Sequence, residues 1–341
     1  MVEMLTEIWL SVLKRSSIGM DDNFFRNGGS VASADLLFAE ISQRLGRELP
    51  TATLFQAPTI AALASLLDQP ELPRFSPFVQ LKAGSQKTPI IIAHGLDGRA
   101  SFSGLAKRIQ TEHPIYGIQA KGVDGLEEPL DRIEDMSQFY LDALNELQPH
   151  GPYILIGYSF GGLVALEMAQ RLSEQKQDVG LLVLVDAYPH PRYLAVGQRL
   201  RLIAQRTKNH LLAMKRRTIG GAISYLWDEL ERRLGTAGVR TRGARVPEDS
   251  PLSLAQTTLR VKRKAYLALE NYRPRPYGGK IKFVKSETDT YFPGDPFPVW
   301  DHLVAAFDVE TVRGSHLDMV TTHFEGLATV LTRYVTEAVA P

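Results

Sequence analysis

The stretch YILIGYSFGGLVALEMAQRL, residues 153–172, decides the fold. Its first six residues are a short apolar and aromatic run, long enough for a buried strand and too short for a helix of ordinary length. From Leu163 onward the apolar residues recur at helical spacing. Between the two lies Gly157-Tyr158-Ser159-Phe160-Gly161, a G-x-S-x-G pentapeptide. A bare pentapeptide carries little information. Between a strand and a helix it predicts a sharp turn that lifts the Ser159 hydroxyl above the sheet, with the helix N-terminus favouring negative charge there.

Further short apolar runs flank this unit. PIIIAHG (89–95), PIYGIQA (114–120) and GLLVLVDA (180–187) read as strands, with helices expected near 101–112, 133–147 and 161–175. KIKFVKS (280–286) reads as another strand and the last helix as running near 323–338. Continuous apolar strands joined through helices predict an α/β fold, a parallel sheet covered on both faces. Lysine- and arginine-rich helical text interrupts this pattern at about 190–265.

An activated serine needs a base, and the base needs an acid to orient it; in sheets of this kind they follow the serine in the order acid, then histidine. Asp186, directly after LLVLV, is the expected acid, and Asp289 in KSETDT is its rival. His316, in the loop Arg313-Gly314-Ser315-His316 before the last helix, is the expected base. His302 and His323 sit in or beside helical text and read as surface residues, whereas His94 precedes the serine and is poorly placed as a base. Two backbone N–H groups are expected to face a developing oxyanion: that of Phe160, and that of Leu96 in HGLDG.

The chain has 341 residues, which suggests about two domains. Thirty-nine basic and thirty-eight acidic residues leave a net charge of +1, which gives no reason to expect a nucleic acid partner. With no cysteine there is no disulfide framework, thiolate nucleophile or cysteine metal site, and no metal is expected. No signal peptide or membrane span is read in the sequence, so the expected location is cytoplasmic. The first 69 residues carry only helical signals: Leu5, Ile8, Trp9, Val12 and Leu13 share one spacing, and Ala34, Leu37, Phe38, Ile41 and Leu45 another. Thr59, after Pro58, is expected to cap a short helix holding Ile60, Leu63, Leu66 and Leu67. Prolines at 70, 73 and 77 mark residues 70–87 as a linker, whose extended reach would be on the order of 60–70 Å.

These motifs resemble a known family. GYSFGGLVALEMAQRL, LLVLVDA and RGSHLDMV, with 27 positions from Ser159 to Asp186, make residues 88–341 similar to the type I thioesterases of nonribosomal peptide and polyketide synthetases, which are α/β-hydrolases. DDNFFRNGG, ELP and LFQAPTIAALASLL make residues 3–67 similar to the peptidyl carrier that precedes such a domain. The resemblance implies a small four-helix carrier at 1–69 and a helical lid over an acyl channel at about 190–265. It also implies that the chain starts inside a larger synthetase. Implied partners are an upstream adenylation or condensation module, a phosphopantetheinyl transferase and an acyl or peptidyl thioester. The implied reaction is release by hydrolysis; macrocyclisation, condensation of two chains, or a non-catalytic docking role are the alternatives. Lys215, Arg216, Arg217, Arg232, Arg233, Arg240, Arg242 and Arg245 would be a solvated face or would meet the carrier. One departure stands out. The family places its phosphopantetheine-bearing serine two residues after the paired glycines, and here that position, Val31, is a valine. Ser30 could serve only if the loop shifted by one residue, so no arm is expected on this carrier.

Overall fold

The computed structural model describes residues 1–46, 49, 53–69, 75–86, 88–194, 196–200, 202–204, 254–288 and 293–339. The first helices are α1 (Val2–Leu13), α2 (Val31–Leu45), α3 (Thr53–Gln56) and α4 (Ile60–Leu67). Leu5, Ile8, Trp9, Phe24, Leu37, Ile41, Ile60 and Leu63 close a core of their own, with Trp9 edge-on to Phe24 at 5.1 Å. The expected cap is present: the Thr59 hydroxyl accepts from the Ala62 N–H at 3.1 Å, which satisfies one of the orphan donors at the start of α4.

The remainder is built on a seven-stranded sheet of order β1-β3-β2-β4-β5-β6-β7. The strands are β1 (Phe78–Lys82), β2 (Ile90–Ala93), β3 (Ile115–Ile118), β4 (Ile154–Tyr158), β5 (Leu181–Val185), β6 (Tyr277–Ser286) and β7 (Val304–Val312). β1 runs antiparallel to β3, and every other pairing is parallel. Alternate side chains serve opposite faces. Ile91, Ala93, Leu155, Leu182 and Leu184 pack against α6 (Ile133–Leu147), α7 (Phe160–Glu174) and α8 (Leu254–Asn271). Ile90, Ile92, Ile154, Ile156, Val183 and Val185 face α5 (Ser103–Arg108), α10 (Asp318–Thr321) and α11 (Phe324–Val339). That is why these strands read as continuous apolar runs. A short α9 (Phe297–Trp300) adds Val299 and Trp300 to the first layer.

Two boundaries differ from the sequence reading. The stretch 70–87 is not linker throughout, because β1 lies inside it and pairs with β3 as the edge strand of the sheet. Phe75 also stacks on Phe139 at 6.4 Å, and the Gln119 amide donates to Ser76 O at 2.7 Å. The chain is therefore held from Phe75 onward, and the reach expected of a 20-residue tether shrinks accordingly. β1 leaves little signal in the sequence, because a five-residue edge strand beside three prolines has no strong alternation. The stretch 190–265 likewise ends in α8, whose Ala265 and Ala268 are buried in the sheet's core. Lys264 bonds Asp131 at 2.8 Å and Arg260 pairs with Glu128, fixing α8 to the loop before α6. The basic residues 215–245 lie outside the described residues.

Candidate active site

Parallel strands bring their C-terminal ends to one edge of the sheet, and the loops leaving that edge collect side chains distant in sequence. Ser159 follows β4, Asp186 follows β5, and His316 sits in the loop after β7. The His316 ring bridges the other two. Its Nδ1 lies 3.0 Å from Asp186 Oδ2, and its Nε2 lies 3.1 Å from Ser159 Oγ. A carboxylate only accepts, so Nδ1 carries the ring proton and Nε2 presents a lone pair to the serine hydroxyl. Ser159 and His316 are half-buried and Asp186 is buried.

Local backbone geometry accounts for the sequence pattern. Ser159 has φ 54° and ψ −121°, a left-handed turn that costs about 1–3 kcal/mol in a residue other than glycine. Glycines at 157 and 161 make that turn possible by removing atoms. A Cβ on Gly157 would lie 2.4 Å from Gly161 O, and one on Gly161 would lie 2.3 Å from His94 O. Asp186 is also left-handed, with φ 48°. Its backbone N–H donates to Val284 O at 2.8 Å, which ties the turn to β6.

Several side chains that the sequence did not single out complete the site. Ser286, at the end of β6, donates twice to Asp186: its N–H to Oδ1 at 3.1 Å and its hydroxyl to Oδ2 at 2.7 Å. Tyr158 lies flat against the His316 ring, with centroids 4.9 Å apart, and its hydroxyl donates to His316 O at 2.9 Å. Burial, helped by the charges of Asp186 and Asp97, pushes that phenol above its usual range and keeps it a donor. Trp300 Nε1 donates to Ala187 O at 3.2 Å, holding the loop behind Asp186.

Among the described residues neither the Leu96 nor the Phe160 N–H has a hydrogen-bond acceptor. Phe160 opens α7, where the first N–H groups have no intrahelical partner. Leu96 is oriented by His94, which is wholly buried. His94 Nδ1 donates to Gly95 O at 2.6 Å, so its Nε2 accepts from the Tyr140 hydroxyl at 3.0 Å. The Gly95 carbonyl and the Leu96 N–H belong to one planar trans peptide and point in opposite directions. Anchoring the first therefore aims the second. The His94 ring also stacks on Phe160 at 6.2 Å, and burial lowers its pKa, which keeps it neutral. Arg99 hydrogen-bonds Thr258 and joins this loop to α8.

Of the other candidate bases, His302 is exposed beside Asp301, and His323 is exposed beside Thr322. Asp289, the rival acid, lies outside the described residues. Among the described residues no group of three or more His, Cys, Asp or Glu side chains could hold a metal ion, and no helix is long and apolar enough to cross a membrane.

Residues 88–334 match the thioesterase domain family. The chain belongs to that family. Residues 3–67 match the phosphopantetheine attachment site family, so a carrier unit precedes the thioesterase. The chain is 29% identical over 322 residues to malpibaldin synthetase of Mortierella alpina, covering 92% of itself and 5% of that protein. It is 31% identical over 290 residues to a dimodular nonribosomal peptide synthase of Bacillus subtilis, covering 83% of itself and 12% of that protein. A four-domain nonribosomal peptide synthetase solved in its holo form with AMP and glycine aligns over all of the chain and 26% of its own length, with a TM-score of 0.58 and 20% identity. The chain thus spans a small fraction of these synthetases. Along this chain a carrier unit is thus followed by a thioesterase domain in the α/β-hydrolase fold.

Proposed function

We propose that this thioesterase releases an acyl or peptidyl group from a phosphopantetheine thioester through a covalent ester on Ser159, and that water completes the release. The observation that carries this reading is the unbroken contact from Ser159 Oγ through His316 to Asp186, at 3.1 and 3.0 Å. Ser159 Oγ attacks the thioester carbonyl carbon while its proton passes to His316 Nε2. The carbonyl oxygen becomes an oxyanion facing the N–H groups of Leu96 and Phe160, where preorganised donors are worth several kcal/mol. The C–S bond then breaks, and the departing thiolate takes the proton from His316. In the second half a water molecule gives its proton to His316 and attacks the ester; Ser159 Oγ leaves with that proton and a carboxylic acid is freed. An amine or hydroxyl of the bound chain in place of that water would give a ring by the same steps. The test is burst kinetics on a simple acyl thioester: one equivalent of thiol per chain should appear ahead of the steady state, and a linear trace from time zero would oppose the scheme.

Two positioning roles follow. Ser286→Ala removes a neutral donor to a charged acceptor, an interaction of about 1.5–3 kcal/mol. Turnover should fall about 10- to 100-fold with KM nearly unchanged, since the loss lies in the orientation of His316 and not in acyl binding. A KM increase with normal kcat would assign Ser286 to substrate binding. Tyr140→Phe leaves His94 Nε2 buried without a donor, at a cost of about 1–3 kcal/mol. Slower acylation with unchanged substrate affinity is expected, because the Leu96 N–H loses its fixed direction; unchanged single-turnover acylation would remove Tyr140 and His94 from that role.

The carrier unit further points to an upstream synthetase module and a phosphopantetheinyl transferase as partners of such proteins, although Val31 leaves this carrier without an attachment oxygen.

A further inference from the structure

We infer that the acyl thioester reaching Ser159 is presented by a carrier other than residues 3–67. The inference rests on the reading of Ser159 as acyl acceptor. Attaching a phosphopantetheine arm requires a hydroxyl oxygen to attack the β-phosphorus of coenzyme A. The oxygen loses its proton and 3′,5′-ADP leaves. The resemblance assigns that task to position 31, the first residue of α2, and the valine there has two methyl groups and no lone pair.

The neighbouring hydroxyls are committed elsewhere. Ser30 is the N-cap of α2, with its Oγ accepting the Ser33 N–H at 3.1 Å. Ser33 returns the favour: its Oγ accepts the Ser30 N–H at 2.6 Å and donates to Ser30 O at 3.0 Å. Freeing Ser30 from this reciprocal cap would cost about 1 kcal/mol. The larger obstacle is position: one residue of offset displaces the oxygen by up to about 3.8 Å, and in-line displacement falls steeply with such misplacement.

The rest of the described unit is well formed. The buried core from Leu5 to Leu67 is closed and the α2 and α4 caps are formed. On the thioesterase side the serine, histidine and aspartate are already in contact. The chain therefore pairs an acceptor ready for an acyl group with a resident carrier that cannot hand one over, and the donor must be the arm of another carrier.

The experiment uses the full chain. Incubation with coenzyme A and a broad-specificity phosphopantetheinyl transferase should leave its intact mass unchanged, while Val31→Ser should gain one arm. The unmodified chain is then given octanoyl-phosphopantetheine on a separately purified peptidyl carrier or, at equal concentration, octanoyl-coenzyme A. The carrier-bound thioester should be cleaved with kcat/KM at least about tenfold higher, because contacts remote from the reacting carbonyl contribute to the transition state. Ser159→Ala should lose both activities. An arm appearing on the unmodified chain within residues 3–67, or a carrier thioester cleaved no faster than the coenzyme A thioester, would overturn the inference while leaving Ser159 in place. If neither thioester is cleaved, or if Ser159→Ala cleaves both, the reading beneath the inference falls with it.

Discussion

Ser159→Ala should lower the turnover of an acyl thioester by on the order of 10⁶, the loss found where serine and histidine act as one unit. The reason lies in the geometry. His316 Nε2 has its lone pair directed at Ser159 Oγ. Without that oxygen the ring has only water to activate. What remains is stabilisation by the Leu96 and Phe160 N–H groups. Binding of the acyl chain should survive, because the substitution removes a single oxygen atom. A variant that keeps the wild-type KM for carrier-bound thioester and loses turnover fits this account; one that loses affinity while keeping kcat does not.

Asp186→Asn should cost roughly 10⁴, through the wrong imidazole tautomer. The hydrogen bonds around this carboxyl say which way the amide turns. Oδ1 faces the Ser286 N–H, a group that can only donate, so the amide oxygen of the variant takes that place. The amide NH₂ is then left facing His316 Nδ1 and the Ser286 hydroxyl, where Oδ2 accepted before. An amide donor opposite Nδ1 moves the ring proton to Nε2, and Nε2 can no longer receive one from Ser159. Single-turnover acylation rates measure this directly. A severe loss on Asp289→Asn, with Asp186→Asn close to wild type, would transfer the acid's role to the rival position.

Some of this site is visible in the amino-acid sequence and some is not, for physical reasons. Ser159 stands out because the strand YILIGY, the glycines and the following helix all act within 20 residues. Asp186 and His316 are recognisable because each follows a strand or begins a helix, so chain order alone places them at the sheet edge. Ser286 is different. It touches Asp186 across 100 residues, and that contact exists only because β5 and β6 pair with Val185 opposite Val284. A one-residue slip in that register would turn the Ser286 side chain to the other face, and nothing local fixes the register in advance. The pairing of His94 with Tyr140 depends in the same way on how α6 lies over β2. Tyr158 sits inside the pentapeptide, yet its stacking on His316 depends on a loop more than 150 residues later. The end of the linker and the start of α8 are hard to read because β1 is a short edge strand and α8 buries only one face of basic helical text, so both resemble a connecting segment in composition. Val31 is legible in the sequence alone. The structure adds the reciprocal cap that occupies Ser30.

The most direct test of the central claim is rapid-quench peptide mapping of the wild-type chain mixed with an octanoyl thioester. The account expects an increase in mass equal to one octanoyl group on the peptide containing Ser159. That adduct should appear within the burst, approach one per chain, and be absent from Ser159→Ala. Steady release of octanoic acid with no adduct at Ser159, or an adduct mapped to a different residue, would contradict it.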